Sequence, residues 1–167
     1  TPPDSSPAAS RIPPVKKPMP SGLIVFVDTN VLIYADDTRD AAKRLRAREW
    51  LLLLWQQRAG RLSTQVLNEY YVNVTRKLGL AQGDARAKVR RFQLWQPWQI
   101  DHQTVETAWG VEARFGLSYW DSLIVAAAAQ SGCTHLLSED LQHGQQIDAV
   151  TILNPFRVAP NELESVA

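Results

Sequence analysis

Short unbroken apolar runs alternate along this chain with longer segments of helical period. LIVFVD (23–28) follows Gly22, is rich in β-branched residues and ends on a carboxylate; such a run predicts a strand buried on both faces. After Asp28, Thr29 and Asn30 the apolar pattern resumes in VLIYA. RDAAKRLRAREWLLLLWQQRA (39–59) reads as a long helix with a basic outer face, and residues 61–63 as a short strand. TQVLNEYYVNVTRKL (64–78) sets Val66, Tyr70 and Val74 on one helical face, with Gly79 placed to end it. DARAKVRRFQLW (84–95) opens on Asp84, the expected N-cap of a further helix, and PWQI (97–100) suits a short strand with Pro97 at its end. QTVETAWGVEARF (103–115) is helical up to Gly116, and SYWDSLIVAAAAQS (118–131) is apolar nearly all round beyond Asp121, the pattern of a buried helix. THLLSED (134–140) is a strand ending on acids, and VTILNPF (150–156) a last strand stopped by Pro155. Strands alternating with helices predict an α/β fold with a mostly parallel sheet. No internal repeat is present.

Composition adds a boundary. Pro2, Pro3, Pro7, Pro13, Pro14, Pro18 and Pro20 all fall in residues 1–22, among Ser and Ala. A segment of this kind buries too little apolar surface to offset its ordering entropy. It is expected to be a flexible tail or linker with local polyproline II character, and no two of its prolines have the P-x-x-P spacing. Residues 23–167 then form one domain, and at 45% hydrophobic the chain can bury a sizeable core. Cys133 is the single cysteine, which excludes an intrachain disulfide. The formal charge of +1 neither requires nor excludes a nucleic-acid partner. No apolar run reaches the ~18–20 residues of a membrane span, and the N-terminus has no signal-peptide h-region. The expectation is a soluble, cytoplasmic protein with no membrane partner.

Four carboxylates stand at the ends of predicted elements. In open α/β sheets, ligands bind beyond the carboxyl ends of the strands. Asp28 ends the first strand and Asp140 a later one; Asp121 lies in the first turn of the buried helix, and Glu69 on the flank of another helix. Each has a local explanation. Asp28 can cap the next segment, Ser118 and Asp121 have capping-box spacing, Glu69 can be a solvated helix acid, and Glu139–Asp140 an ordinary polar loop. The set is harder to dismiss. If the four share a cleft they repel one another and raise one another's pKa values, a cost that a divalent cation removes. His102, His135, His143 and Cys133 include no close-spaced His or Cys pair, which argues against zinc, whereas oxygen donors suit Mg²⁺ or Mn²⁺. Such ions support phosphodiester hydrolysis.

VFVDTNVLIYA, LSTQVLNEYYVNVTRK, GLSYWDSLIVAAAA and LLSEDLQHGQ, followed by ILNPF, resemble PIN-domain ribonucleases, and among them the VapC-type toxins of bacterial toxin–antitoxin pairs. The resemblance runs from about residue 23 to 156 in the family's order. It implies a three-layer α/β/α sandwich around a central, mostly parallel sheet, Mg²⁺- or Mn²⁺-dependent cleavage of single-stranded or loop RNA (a tRNA or rRNA loop), a homodimer, and inhibition by a cognate antitoxin. It also implies that Asp28, Glu69, Asp121 and Asp140 are the catalytic, metal-holding acids. Asn30 and Ser138 match the supporting amide and hydroxyl, and Thr29 lies in the same box. Of the neighbours Glu139 and Asp140, the hydroxyl-x-acid spacing from Ser138 selects Asp140. Attack by metal-activated water would leave a 5′ phosphate and a 3′ hydroxyl.

RNA entering an acidic cleft calls for basic residues at its rim. The candidates are Arg39, Lys43 and Arg46 on the first long helix, and Arg86, Lys88, Arg90 and Arg91 on the next basic one, each weighed against a solvated helix face. Trp and Tyr can stack on unpaired bases, but Trp95 and Trp98 are expected in packing or a dimer contact, and Tyr119 and Trp120 as walls of the site or core rather than base readers. Two alternatives compete. An aspartyl-phosphate phosphatase wants a second Asp two residues after the first, where this chain has Asn30, and a receiver domain wants a late lysine, whereas none follows Lys88. A catalytically inactive PIN-fold module binding RNA or a protein partner is the non-enzymatic reading; four mutually repelling acids serve it poorly.

Overall fold

The computed structural model describes residues 22–165. Apart from Gly22, the proline-rich tail lies outside the described residues. Strand β1 (Val25–Val27) leads into helix α1 (Thr29–Asp36) and then α2 (Ala41–Gln56). Strand β2 (Gly60–Arg61) comes next, then α3 (Thr64–Arg76), α4 (Gln82–Phe92), α5 (His102–Phe115) and α6 (Tyr119–Gln130). Strands β3 (His135–Leu137), β4 (Gln146–Ile147) and β5 (Val150–Leu153) complete the sheet.

Short polar side chains start most of the helices by accepting otherwise orphaned backbone N–H bonds. Asp28 caps α1, Asp40 α2, Ser63 α3, Asp101 α5 and Ser118 α6. Gly79, at φ +67°, lets the Leu80 N–H reach back to the Val74 carbonyl and close α3. Gly116, at φ +65°, ends α5 as expected. Three expectations are corrected. Helix α4 begins at Gln82 behind Ala81, which supplies no side-chain cap, so Asp84 lies inside the first turn. PWQI forms no strand: Trp98 makes a one-residue parallel bridge to Ser63, its N–H donating to the Leu62 carbonyl at 2.9 Å. The strand expected over 61–63 is instead β2, at Gly60–Arg61.

The described residues form a five-stranded sheet in the order β2-β1-β3-β5-β4. All pairings are parallel except β4 with β5. Val25, Phe26 and Val27 are all fully buried. Successive strand residues point to opposite faces, so total burial means both faces of β1 are covered. That is the α/β/α sandwich that the resemblance implies, around the mostly parallel sheet that the sequence pattern predicts. Helix α1 packs on α2 and α3, α5 packs on α6, and α6 lies against β3 and β5. From β1 the chain builds β2 on one side and later returns to place β3 on the other. The strand order therefore reverses at the β1–β3 boundary, where α/β sheets open a crevice at their carboxyl edge.

Candidate active site

Both strands at that boundary end on a polar residue of the candidate set. Asp28 follows β1 and Ser138 follows β3, and the two are joined by a 2.7 Å bond from the Ser138 hydroxyl to Asp28 Oδ2. Asp28 Oδ1 accepts the Thr29 N–H at 2.7 Å. The Asn30 amide donates to Asp28 Oδ2 at 3.4 Å and to Asp140 Oδ2 at 3.0 Å, so it links the acids beyond the two strands. Ser138 Oγ also accepts the Asp140 N–H at 3.2 Å. One hydroxyl and one amide thus hold two carboxylates in register.

Glu69 is delivered by α3. Thr29 Oγ1 donates to its Oε2 at 2.7 Å, and Gln65, one helical turn earlier, donates to its Oε1 at 3.0 Å. The same Gln65 amide donates to the Trp120 carbonyl at 3.2 Å, which ties α3 to the start of α6 and so to Asp121. The Asp121 N–H is capped by Ser118 Oγ at 3.1 Å. Sequence reading missed Gln65, although its spacing four residues before Glu69 on a helix is the signal for such a contact.

The acids feel one another's charge. Asp28 is 5% exposed. Burial pushes its carboxyl up to about 7; the Ser138 and Thr29 hydrogen bonds oppose this, and the charges of Asp140 and Asp121 add to it. The Asp121 carboxyl is also raised, mainly by burial against the lowering effect of Ser118, with the fields of Asp140 and Glu69 adding. Among the described residues, no ion pair involves Asp28, Glu69, Asp121 or Asp140; the cations pair elsewhere. The donor set is all oxygen, anionic and short of positive charge, and so fits a hard divalent cation. Among the described residues, no three His, Cys, Asp or Glu side chains stand close enough together to enclose a metal ion directly. An ion that keeps several waters needs only one or two carboxylates, as Mg²⁺ usually does.

The pair Glu139 and Asp140 separates cleanly. Asp140 faces Asn30, whereas Glu139 turns to an ion pair with Lys43. Lys43 Nζ lies 4.6 Å from the Tyr34 ring centroid and 5.2 Å from that of Phe156. Lys43 is therefore the basic candidate that reaches the acidic centre, through the neighbour of Asp140. Arg39 is held in a two-point pair by Asp37, and Arg46 contacts Glu49 at 3.5 Å. Lys88 pairs with Asp36 at 2.7 Å in a cleft of about 360 Å³ that Arg91 also lines. Arg86 and Arg90 lie exposed on α4, where Arg86 contacts Gln82 at 3.4 Å. Trp95 and Trp98 pack against the core, as expected. Trp120 is 63% exposed and is a wall rather than core, lining a recess of about 510 Å³ beside Glu69.

Two solved structures share the fold. One is Mycobacterium tuberculosis VapC20, described as a sarcin–ricin loop cleaving toxin. It is 19% identical with a TM-score of 0.52, over 67% of this chain and 86% of its own. The other is VapBC2 from Rickettsia felis, solved bound to a DNA fragment from its promoter. It is 14% identical with a TM-score of 0.55, over 78% of this chain and 97% of its own. No curated protein sequence matches the chain. The family model for the PIN domain matches residues 25–146, from the first strand through the loop that carries Asp140. That span covers most of the 167 residues and all four acids, and it places the chain in the PIN domain family.

Proposed function

We propose that this protein is a divalent-metal-dependent endoribonuclease that cuts single-stranded or loop RNA, and that it is the toxin of a toxin–antitoxin pair. One observation carries the reading: four acids from separate elements lie at the carboxyl edge of the sheet, and among the described residues none of them is in an ion pair. PIN domains are generally nucleases, and one similar structure is a toxin that cleaves the sarcin–ricin loop. An rRNA or tRNA loop is the corresponding substrate here. A second similar structure is a VapBC complex, which supports a protein antitoxin as partner; a homodimer is the expected assembly.

In this mechanism Asp28, Asp121 and Asp140 would hold Mg²⁺ or Mn²⁺, directly or through waters that the ion retains. The cation supplies Lewis-acid polarisation of the phosphate and a water of lowered pKa. Ser138 and the Thr29 N–H hold the Asp28 carboxylate in its ionised, ligand-ready orientation, against the pull of burial toward the neutral acid. Asn30 keeps Asp28 and Asp140 facing one another. Glu69, clamped by Thr29 and Gln65, would bind the metal through water or orient the attacking water. No histidine takes part as a general base.

Cleavage of single-stranded RNA in Mg²⁺ or Mn²⁺ tests the proposal, with wild type compared against Asp28→Asn and Asp121→Asn. Both variants should lose cleavage. Equal activity in all three proteins sinks the nuclease reading, and metal-independent binding without cleavage makes the protein a binding module instead.

A further inference from the structure

The recess beside Glu69 shares Glu69 and Gln65 with the centre above, but its other walls have no part in that chemistry. It lies between the start of α3 and the start of α6, at about 510 Å³, within the ~300–1,000 Å³ usual for ligand clefts. Its walls include Gln65, Asn68, Ile100, Trp120 and Leu123, and Glu69 belongs to both the recess and the acidic centre. A group seated in the recess therefore lies beside a member of the acid set.

Two features show what kind of group fits. Trp120 is held in place but left uncovered. Its carbonyl is bound by Gln65, its ring meets Tyr119 edge-on with centroids 5.3 Å apart, and the side chain is 63% exposed. An exposed large aromatic ring at the mouth of a site is a stacking platform for a flat partner. The second feature is a missing hydrogen bond. Gln65 Oε1 is buried and has no partner, although its Nε2 is used twice. An unpaired buried acceptor is unfavourable. A donor on a flat, polar-edged ligand can satisfy it after a small rotation of the amide. Asn68, exposed on the same wall, carries both a donor and an acceptor.

We propose that this recess is a base-binding subsite. An unpaired nucleobase next to the scissile phosphate stacks on Trp120 and presents its polar edge to Gln65 and Asn68. The inference rests on the nuclease reading for the identity of the strand, but it concerns the walls of the recess rather than the acids. It explains why the centre would act on unpaired rather than duplex RNA: a base held in a helix cannot reach the ring.

The test is binding of labelled heptameric oligoribonucleotides (A7, C7, U7 and a heptamer of abasic ribose phosphates), measured by fluorescence anisotropy in the Asp28→Asn background. Trp120→Ala should weaken binding of the base-bearing oligomers by roughly 5- to 150-fold, the range seen when one base-stacking aromatic is truncated. It should leave the abasic heptamer unchanged. Trp120→Phe should restore much of the loss, a rescue that general unfolding cannot imitate. Asn68→Ala should alter the ranking of A7, C7 and U7. Equal binding by Trp120→Ala and its parent, or equal binding of abasic and base-bearing oligomers, overturns the subsite. So does Trp120-dependent self-association in sedimentation with oligomer binding unaffected, because the ring would then be covered by a second copy. RNA cleavage by the wild type is scored separately. Base-dependent binding without cleavage keeps the recess and removes the nuclease; cleavage with base-independent binding does the reverse.

Discussion

Replacing Asp28 with Asn should stabilise the metal-free protein while removing its activity. The Asp28 carboxyl is raised from 3.8 to about 7, with burial the largest cause. A carboxyl whose folded pKa lies above its unfolded value keeps its proton in the fold where the unfolded chain has already released it. Stability from this group is therefore full below about pH 4, falls as pH rises, and levels off above about pH 7. One pKa unit corresponds to about 1.4 kcal/mol, so the two units between pH 5 and pH 7 remove roughly 3 kcal/mol of stability, with little further change to pH 8. Asn at this position does not titrate. It keeps the Thr29 N–H bond through its oxygen, and Ser138 can accept from its NH₂. Only the 3.4 Å contact with the Asn30 amide turns from donor–acceptor to donor–donor. In EDTA, Asp28→Asn should thus gain roughly 3 kcal/mol on wild type between pH 5 and pH 8. Urea melts at the two pH values read this directly. Adding Mg²⁺ or Mn²⁺ at pH 8 should raise the wild type's stability and leave the variant where it was. Parallel pH curves for the two proteins would refute the reasoning, because they would mean Asp28 carries no buried charge for a cation to relieve.

Three other outcomes rest on separate contacts. Ser138→Ala removes the hydroxyl that binds Asp28 Oδ2 and the Asp140 N–H; Mn²⁺ affinity by calorimetry should fall roughly 10- to 100-fold, and an unchanged affinity would show that the hydroxyl does not orient the ligands. Gly60→Ala would put a Cβ 2.5 Å from Cη2 of Trp95; urea melts should show a loss of roughly 1–3 kcal/mol, and a smaller one in a Trp95→Leu background. Tyr70→Phe deletes the hydroxyl that donates to Asp36, which Lys88 also binds; it should cost about 1 kcal/mol in the same assay without changing RNA cleavage.

The placement of Asp28, Asp121 and Asp140 was legible because each stands near the end of an element, and ends carry strong local signals; Glu69, in the middle of α3, has no such signal. The run VFV before Asp28, and the Ser118–Asp121 spacing before an apolar helix, are short local patterns. Elements that escaped the reading lack such signals. Helix α1 spans only eight residues, carries β-branched Val31 and Ile33, and buries Thr29, Val31, Leu32 and Ala35, so it shows little amphipathic period. Packing on α2 and α3 and the Asp28 cap make it helical. Strand β4 has two residues and exists because Asp148, at φ +53°, turns the chain back onto β5. PWQI has the composition of a strand, yet only Trp98 finds a partner.

The side-chain partnerships inside the site were out of reach for a different reason. Thr29 meets Glu69 across 40 residues, Gln65 meets Trp120 across 55, and Ser138 meets Asp28 across 110. No window along the chain holds both members of such a pair. The choice between Glu139 and Asp140 shows what this means. Locally the two are adjacent acids beyond one strand, and only the hydroxyl two residues before Asp140 distinguishes them. In the fold, Lys43 from α2 occupies Glu139 and Asn30 from α1 takes Asp140. The distinction lies in which helix faces which side of the loop. That depends on the strand order reversing between β1 and β3, the same reversal that opens the crevice. Topology thus does two things at this edge: it brings the carboxylates together, and it assigns one neighbouring acid to a lysine so that a single carboxylate from that loop is left for the centre.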